Sequence, residues 1–258
     1  MNFSLSADDP PAFIQQGLDR SGPFFVIVDH AGQAIPRCLG DMGVSSSDHQ
    51  RHIAYDIGAG AVGTLLASSL NAPLHASFYS RLVVDVNRDP NHPDSMPATS
   101  DGTIIPANQN ITEQERHSRL DAIFSPYHTA LSQAIDSRNT PVFPVFLHTM
   151  TNRLMTQPDD KRIWPITVLH NEDKRLAHPL LAHIRNAGIA TAANEPYSGY
   201  DHTAYCLRTY GVERGLPHVA IEIRQDLVMD TVRQRLWALH LTRWLQSAVQ
   251  EAGLAKDN

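Results

Sequence analysis

The chain has 258 residues, of which 42% are hydrophobic and 19% charged, and its formal net charge is −6. This length and composition suffice for one large α/β domain, and we expect a single domain over residues 1–258. The acidic balance and the lack of clustered lysine and arginine argue against a nucleic-acid partner. We therefore expect a small-molecule partner.

The two cysteines, Cys38 and Cys206, are too few for a disulfide framework or a thiolate zinc site. The first ten residues have neither the cationic start nor the apolar core of a signal peptide, and no later stretch is apolar enough to span a membrane. These features predict a cytoplasmic protein without membrane contact. They leave the oligomeric state open.

The first half of the chain predicts two helices, three strands and a long loop. In order, these are a short helix at 12–18, a strand at 24–28, a helix running to residue 70 behind N-cap residues 45–48, strands at 74–79 and 82–86, and an irregular loop at 91–110. Asp56 should lie within the second helix. A loop as long as 91–110 is typical of binding loops and lids.

The second half opens with a capping box at 112–115 and a helix that continues to residue 135. Then follow strands at 141–147 and 166–169, a helix at 174–186, strands at 189–193 and 219–223, and a long amphipathic helix at 227–252. Alternating strands and helices predict an α/β fold, with a mixed, mostly parallel sheet flanked by helices.

Two histidines follow apolar strands. His30 belongs to the tetrapeptide Asp29-His30-Ala31-Gly32 directly after strand 24–28, and His148 follows strand 141–147. Because α/β enzymes place their chemistry at the carboxyl ends of strands, both histidines are candidate metal ligands. For each, a histidine hydrogen-bonded to the backbone is the alternative.

A zinc site needs at least one further ligand, and a carboxylate is the usual choice where cysteine is absent. Asp56 is the first candidate. Asp29 is the alternative, either as a ligand or as the partner that orients a histidine. Asp56 would otherwise be an acid that packs or caps a helix.

Glu222 lies within the apolar strand 219–223, between two isoleucines. A carboxylate there faces either solvent or a cleft, and burial in a cleft would raise its pKa toward the range of a general base. Glu222 is therefore the candidate catalytic residue. A solvent-facing acid on an edge strand is the alternative.

Three arginines, Arg81, Arg88 and Arg224, are candidates for binding an anionic substrate, because a guanidinium group pairs well with a carboxylate. If 82–86 is a strand, Arg81 and Arg88 lie at opposite ends of it and on opposite faces. Arg224 follows Glu222 by two residues and should share its face. The alternative is that each arginine makes a structural ion pair, with Asp85 and Asp89 as the evident partners for Arg88.

Asn194 and Tyr197 flank a proline after the strand at 189–193. Both are candidates for hydrogen bonds to the substrate or to a tetrahedral oxyanion. The alternative is a proline-centred turn in which the side chains cap the backbone.

Six segments together resemble the N-formylglutamate amidohydrolase family, in the order that the family has them. They are VDHAGQAIP at 28–36, HIAYDIGA at 52–59, SRLVVDVNR at 80–88, LHT at 147–149, NEPYS at 194–198 and EIRQDL at 222–227. The resemblance implies a fold similar to zinc carboxypeptidases and acylamino-acid deacylases, and a bound zinc. It also implies hydrolysis of an N-acyl amino acid, with His30 and His148 as ligands and Glu222 as the catalytic acid.

One position departs from the carboxypeptidase-type pattern. That pattern has a glutamate three residues after the first ligand histidine, where this chain has Gln33, a poor zinc ligand. The carboxylate ligand must therefore come from elsewhere, which again points to Asp56 or Asp29, or the metal is bound weakly. Zinc is the expected metal, and another divalent ion is the alternative.

We thus expect a metal-dependent hydrolase for an N-acyl, and specifically N-formyl, acidic amino acid such as N-formylglutamate, a reaction of amino-acid catabolism such as histidine degradation. Two alternatives stay open. One is a related metallocarboxypeptidase or an N-succinyl or N-acetyl amino-acid deacylase. The other is a non-catalytic protein that binds an acidic metabolite.

Overall fold

The computed structural model describes residues 3–254, within which nine strands form. They are β1 (Phe13–Gln16), β2 (Phe24–Val28), β3 (Leu74–Ser77), β4 (Thr99–Ser100), β5 (Thr103–Ile104), β6 (Phe143–Met150), β7 (Ile166–Leu169), β8 (Thr191–Ala193) and β9 (Val219–Arg224). Seven of them form one sheet in the order β1-β3-β2-β6-β9-β7-β8, and β4 and β5 form a separate hairpin.

Four neighbouring strands at the centre of the sheet, β3, β2, β6 and β9, run parallel to one another. Strands β1 and β7 pair antiparallel with β3 and β9, and β8 is parallel to β7. The predicted mixed, mostly parallel sheet is confirmed. Because the four central strands are parallel, their carboxyl ends meet at one edge of the sheet.

Six helices are present in the described part of the chain. They are α1 (Ala59–Ser69), α2 (Glu113–Arg119), α3 (Ser125–Asp136), α4 (Ala177–Asn186), α5 (Tyr205–Leu207) and α6 (Thr231–Glu251). A π-helical stretch at Leu120–Phe124 joins α2 to α3. Within residues 3–254 no helix combines the length and the apolar character that crossing a membrane requires.

Each face of the sheet has its own apolar core. Helices α1, α4 and α6 pack on one face, against the side chains of Val28, Leu147 and Ile221. On the other face, Ile27 and Phe146 pack with α3, α5 and the segment 79–86. Strand residues alternate between the two cores, as a pleated sheet covered on both sides requires.

The elements predicted at residues 112 to 252 are confirmed, with shifted ends. Strand β7 has the predicted bounds, and Thr112 caps α2 by accepting a hydrogen bond from the Glu115 backbone N–H at 3.2 Å. The capping box therefore starts the helix as predicted. The other elements begin or end up to four residues from their predicted bounds.

Two predictions in the first half were wrong about the type of element. Residues 12–18 contain no helix, because Phe13–Gln16 pairs antiparallel with β3 at the edge of the sheet. The helix predicted behind residues 45–48 begins only at Ala59, after Gly58, whose φ of 83° is left-handed. Asp56 therefore precedes the helix instead of lying within it.

The predicted strand at 82–86 was also wrong. Leu82, Val83, Val84 and Val86 are buried in the core beneath α3, but the backbone there forms successive turns. An apolar run predicts burial, and burial alone does not imply pairing in a sheet. The loop at 91–110 is partly regular, since it contains the hairpin of β4 and β5 and two 3₁₀ turns.

Candidate metal centre and active site

A cavity lies at the carboxyl edge of the four parallel strands. Asp29 and His30 follow β2, His148 lies in β6 and Glu222 in β9, and all four line the cavity. Asp56, from the loop before α1, completes the group. These five residues are between 1% and 8% exposed, so the cluster is almost sealed from solvent.

Pairing in the sheet directs Glu222 into the cavity. Glu222 is the register partner of His148 on the neighbouring strand β6, so both side chains leave the sheet on the same face. Ile221 and Leu147 point to the opposite face and pack in the core beneath α1. Glu222 is therefore a cleft-facing acid on a central strand.

Asp56 lies between the two histidines. Its backbone N–H donates to the carbonyl oxygen of His30 at 2.9 Å. Its Oδ2 atom is 2.9 Å from His148 Nδ1 and 3.4 Å from His30 Nδ1. One ligand atom from each of these residues falls within 4.8 Å of the other two. Two imidazole nitrogens and one carboxylate oxygen thus converge on one point.

The opposite nitrogen of each imidazole faces a different carboxylate. His30 Nε2 is 2.7 Å from Asp85 Oδ1, and His148 Nε2 is 3.4 Å from Asp29 Oδ2. Tyr127 in turn donates its hydroxyl proton to Asp29 Oδ1 at 2.7 Å. Carboxylates in this position fix the tautomer and the ring orientation of metal-binding histidines.

The aspartates of the cluster stay ionised despite their burial. Burial opposes ionisation, but the histidines hold the pKa of Asp56 well below its usual range, and Arg81 does the same for the pKa of Asp85. Burial also works against a charged His148, yet the neighbouring carboxylates of Asp29 and Asp56 raise the pKa of this imidazole well above its usual value. The cluster therefore attracts positive charge.

Glu222 differs from the aspartates in its charge state. Burial raises the pKa of its carboxyl to about 7, partly offset by His148. A carboxyl group whose pKa lies near neutrality can both accept and donate a proton at physiological pH. Among the acids of the cavity, Glu222 alone has this property.

Two buried atoms of the cluster lack a hydrogen-bond partner among the described residues, namely His30 Nδ1 and Asp29 Oδ2. An orphaned imidazole nitrogen that faces a carboxylate is unfavourable unless a proton or a cation lies between them. Imidazole nitrogen and carboxylate oxygen are both ligands that zinc accepts. The donor set therefore fits a zinc-like divalent ion.

Arg81 and Arg88 both line the cavity. Arg81 donates to Asp85 Oδ2 from Nη2 at 2.7 Å and from Nε at 3.1 Å. Arg88 Nη1 donates to the carbonyl oxygen of Thr203 at 3.0 Å and lies 3.9 Å from Asp85 Oδ2. The expectation of opposite faces was wrong, because turns replace the predicted strand and bring both guanidinium groups to one side of Asp85.

Arg224 and Asn194 do not line the cavity. Arg224 Nε donates to Asp226 Oδ1 at 2.7 Å, so the expectation that it shares a site with Glu222 was wrong. Asn194 Oδ1 accepts hydrogen bonds from the backbone N–H groups of His170 and Gly199, each at 3.1 Å. Asn194 therefore stabilises the turn around the proline, whereas Tyr197 does line the cavity.

Three further residues, namely Asp85, Tyr127 and His52, were not assigned to the site by the sequence analysis. Asp85 and Tyr127 support the cluster from behind, and His52 lines the cavity, where burial lowers the pKa of its imidazole to about 4. Asp85 was the one with a usable signal, since it is a lone acid within an apolar run. The role of Tyr127 depends on a contact with Asp29 across 98 residues, which no local pattern reports.

The model of the N-formylglutamate amidohydrolase family matches residues 22–229. The chain belongs to this family. The matched range contains every residue of the cluster described above, from Asp29 to Glu222. The resemblance seen in the six sequence segments is thereby confirmed, and the protein is a member of an amidohydrolase family.

Two solved structures are similar over nearly the whole chain. The gene product Atu2144 from Agrobacterium tumefaciens is 31% identical, with a TM-score of 0.92 over 96% of this chain and 99% of that one. N-formylglutamate amidohydrolase from Ralstonia eutropha JMP134 is 20% identical, with a TM-score of 0.71 over 93% and 98%. The latter likeness shows a shared fold. No curated protein sequence matches the chain.

Proposed function

We propose that this protein hydrolyses the amide bond of an N-formylated acidic amino acid such as N-formylglutamate, with a divalent metal, zinc by preference. His30, His148 and Asp56 would hold the metal. One observation carries the proposal. Both Nδ1 atoms converge on Asp56 Oδ2, while Asp85 and Asp29 support the Nε2 atoms from behind.

The same observation separates the two carboxylates left open by the sequence. Asp56 faces the two Nδ1 atoms and is therefore the proposed ligand. Asp29 lies behind His148 and is engaged by Tyr127, so it is the proposed orienting partner. Three protein ligands leave one position of a tetrahedral zinc open, as in catalytic sites.

A divalent cation held there would supply Lewis-acid polarisation of the amide carbonyl and would lower the pKa of a nearby water molecule. Glu222 would take the proton from the attacking water and pass it to the nitrogen of the leaving amine. Its pKa of about 7 suits both transfers. The products would be formate and the free amino acid.

The arginines would bind the negatively charged groups of the substrate. Arg81 is already engaged by Asp85 through two hydrogen bonds, whereas Arg88 binds only carbonyl oxygens directly. Arg88 is therefore the better placed to bind a substrate carboxylate, and Tyr197, which lines the same cavity, could donate a hydrogen bond to the substrate. The loop at 91–110 lines a second cavity at the mouth and would close over the substrate.

Metal content and activity test the proposal together. Freshly purified protein should contain one tightly bound zinc-like ion and should hydrolyse N-formylglutamate faster than its N-acetyl and N-succinyl analogues. Preference for a longer acyl group would instead make the protein a related deacylase. Normal binding of N-formylglutamate without turnover, with or without metal, would make it a binding protein.

Two matched variants locate the carboxylate ligand. Asp56→Asn should lose the ion, because it removes one of three protein ligands. Asp29→Asn should keep it with an affinity reduced by about 10-fold to 100-fold, the usual effect of removing a partner that orients a ligand histidine. The opposite ranking of the two variants in equilibrium dialysis would assign Asp29 as the ligand.

A further inference from the structure

A second group of metal-ligating side chains lies outside the central cluster, at the rim of the cavity. His92, Asp94 and His202 each offer one ligand atom within 4.8 Å of the other two. They come from two loops that are distant in sequence, one before β4 and one after β8. Asp94 also lines the cavity at the mouth of the active site.

The three side chains face one another across a gap. The two imidazole rings have centroids 4.7 Å apart and an interplanar angle of 32°. Asp94 Oδ2 is 3.7 Å from His92 Nδ1 and 3.9 Å from His202 Nε2. These distances exceed those of hydrogen bonds, so the three side chains do not bond to one another. Within the cluster, only His92 Nδ1 takes part in a hydrogen bond.

One nitrogen of His92 is already occupied. His92 Nδ1 accepts a hydrogen bond from the Asp94 backbone N–H at 3.1 Å, so this nitrogen is unprotonated and its lone pair points at that N–H, 3.7 Å from Asp94 Oδ2. A cation would replace this single bond. The side chains of Asp94 and His202 make no hydrogen bond to any of residues 3–254, so their ligand atoms are free to coordinate.

The loop that carries His92 and Asp94 is held in place by an arginine. Arg116 Nη2 donates to the carbonyl oxygen of His92 at 2.8 Å, to that of Pro90 and to Ser95 Oγ, each at 2.6 Å. On the other loop, the Asp201 carboxylate accepts the Ser198 backbone N–H at 2.9 Å. Both halves of the cluster are thus pre-organised, which reduces the ordering that binding requires.

We propose that His92, Asp94 and His202 form a peripheral site for an exchangeable divalent ion of the zinc class. Two imidazoles and one carboxylate favour Zn²⁺, Co²⁺, Ni²⁺ or Cu²⁺ over Mg²⁺ and Ca²⁺, which take oxygen ligands. The side chains are 37%, 58% and 58% exposed, so water completes the coordination and the ion exchanges readily.

An ion at this site would join the two loops that border the active site. His92 lies four residues after Arg88, and His202 directly precedes Thr203, whose carbonyl oxygen accepts a hydrogen bond from Arg88. The ion would add a second link beside the contact between Arg88 and Thr203. The proposal goes beyond the proposed activity and does not depend on it, since the central cluster shares no residue with this one.

Counting bound ions tests the proposal. Metal-free protein dialysed against Zn²⁺ should bind two ions, one tightly and one weakly. The double variant His92→Asn/His202→Asn should lose only the weakly bound ion. The single variant His202→Asn should reduce the affinity for this ion by at least about 10-fold, because removing a partner that merely orients a ligand already costs that much. His117→Asn, which changes a histidine 71% exposed on α2, is the control.

The variant Asp56→Asn separates this site from the central one. It should retain the weak ion, and Zn²⁺ should still raise its melting temperature. That rise should vanish when His92→Asn and His202→Asn are added. If the two rim substitutions change neither zinc binding nor the shift in melting temperature, the peripheral site is overturned. If the wild type binds a single, weakly held ion, only the central site is overturned.

Discussion

Glu222 acquires its chemistry from its position on a central strand. A glutamate in water ionises well below neutrality, but here the sheet, the helices behind it and the neighbouring strands exclude solvent. Burial raises its pKa, while His148 on the adjacent strand opposes the rise. The carboxyl group is therefore balanced between its two protonation states beside the residues that would hold the metal.

The variant Glu222→Gln should keep its fold and its metal but lose at least about 100-fold in kcat, the usual scale of a missing general base. Gln preserves the shape of the side chain and cannot accept the proton. Steady-state kinetics and metal analysis on the same preparation measure both properties. Turnover close to that of the wild type would show that another group transfers the proton.

Arg88 and Arg224 form a matched pair for testing how the substrate is bound. Arg88→Met should reduce kcat/KM for N-formylglutamate by about 10-fold to 100-fold, because a charge-assisted hydrogen bond contributes roughly 1.5–3 kcal/mol. Arg224→Met should have little effect, since Arg224 pairs with Asp226 away from the cavity. The experiment compares N-formylglutamate with N-formylmethionine for each variant.

The comparison of substrates identifies which carboxylate Arg88 binds. A loss confined to N-formylglutamate would assign Arg88 to the side-chain carboxylate, and equal losses would assign it to the α-carboxylate. If neither substrate is affected, Arg88 serves only to hold Thr203.

At the level of elements, the turn after β2 is what places Asp29 and His30. This turn packs directly on the segment after β3, where Ala34 N–H donates to the Phe78 carbonyl oxygen at 3.2 Å and Ser80 N–H donates to that of Ala34 at 2.9 Å. The approach is so close that a Cβ atom on Gly32 would lie 1.9 Å from the Phe78 oxygen. Only glycine fits there.

Gly32→Ala should lower the free energy of unfolding by at least about 1–3 kcal/mol, the range for overpacking, because the obstacle is backbone and cannot rotate away. It should also weaken metal binding by displacing His30. Gly60→Ala in α1 is the control. Its Cβ would lie 3.3 Å from the Ala31 Cβ and 3.5 Å from the Ala31 carbonyl oxygen, so it should change stability by no more than about 1 kcal/mol. Urea unfolding and metal titration give the two readouts. Equal stability of the two variants would mean that the backbone of the turn shifts at little cost to accommodate the added Cβ atom.

For the whole molecule, burial of neutral histidines links stability to pH. His75 is fully buried, stacks on Phe13 with ring centroids 5.1 Å apart, and has no hydrogen-bond partner for either ring nitrogen among the described residues. Burial lowers its pKa to about 3 and that of His128 to about 4. Because the unfolded chain protonates these histidines near pH 6.5 and the folded one does not, acid should favour unfolding.

His75→Phe isolates the contribution of one such group. Between about pH 6 and 4.5, unfolded His75 binds close to one proton more than folded His75. This difference makes the free energy of unfolding of the wild type fall by about 1.4 kcal/mol for each pH unit of acidification. The variant should lack this contribution. Glu222 acts with the opposite sign in this range in both proteins, because its raised pKa makes the folded state bind the extra proton, so it cancels in the difference.

The measurement is urea unfolding of wild type and variant, both without metal, at several pH values. The cost of the substitution should shrink as the pH falls. Parallel pH profiles for the two proteins would show that His75 carries the same charge in the folded and unfolded states.

Much of the fold and of the candidate site could be predicted from the sequence alone. The apolar runs of β2, β6 and β9 predicted buried strands, because a strand covered on both faces must be apolar along its whole length. Residues at the ends of such strands must meet at one edge when the strands are parallel, which is why His30, His148 and Glu222 could be grouped. The six family segments supplied the amidohydrolase class independently.

Only the tertiary structure decided which atoms face one another. Asp56 and His148 are 92 residues apart, so no periodicity could choose between Asp56 and Asp29. The turns at 82–86 brought Asp85 behind His30, where an apolar pattern had predicted a strand. Local sequence determines whether a segment is buried, but the direction of a side chain depends on the backbone path and on long-range packing, and the role of a carboxylate follows from that direction.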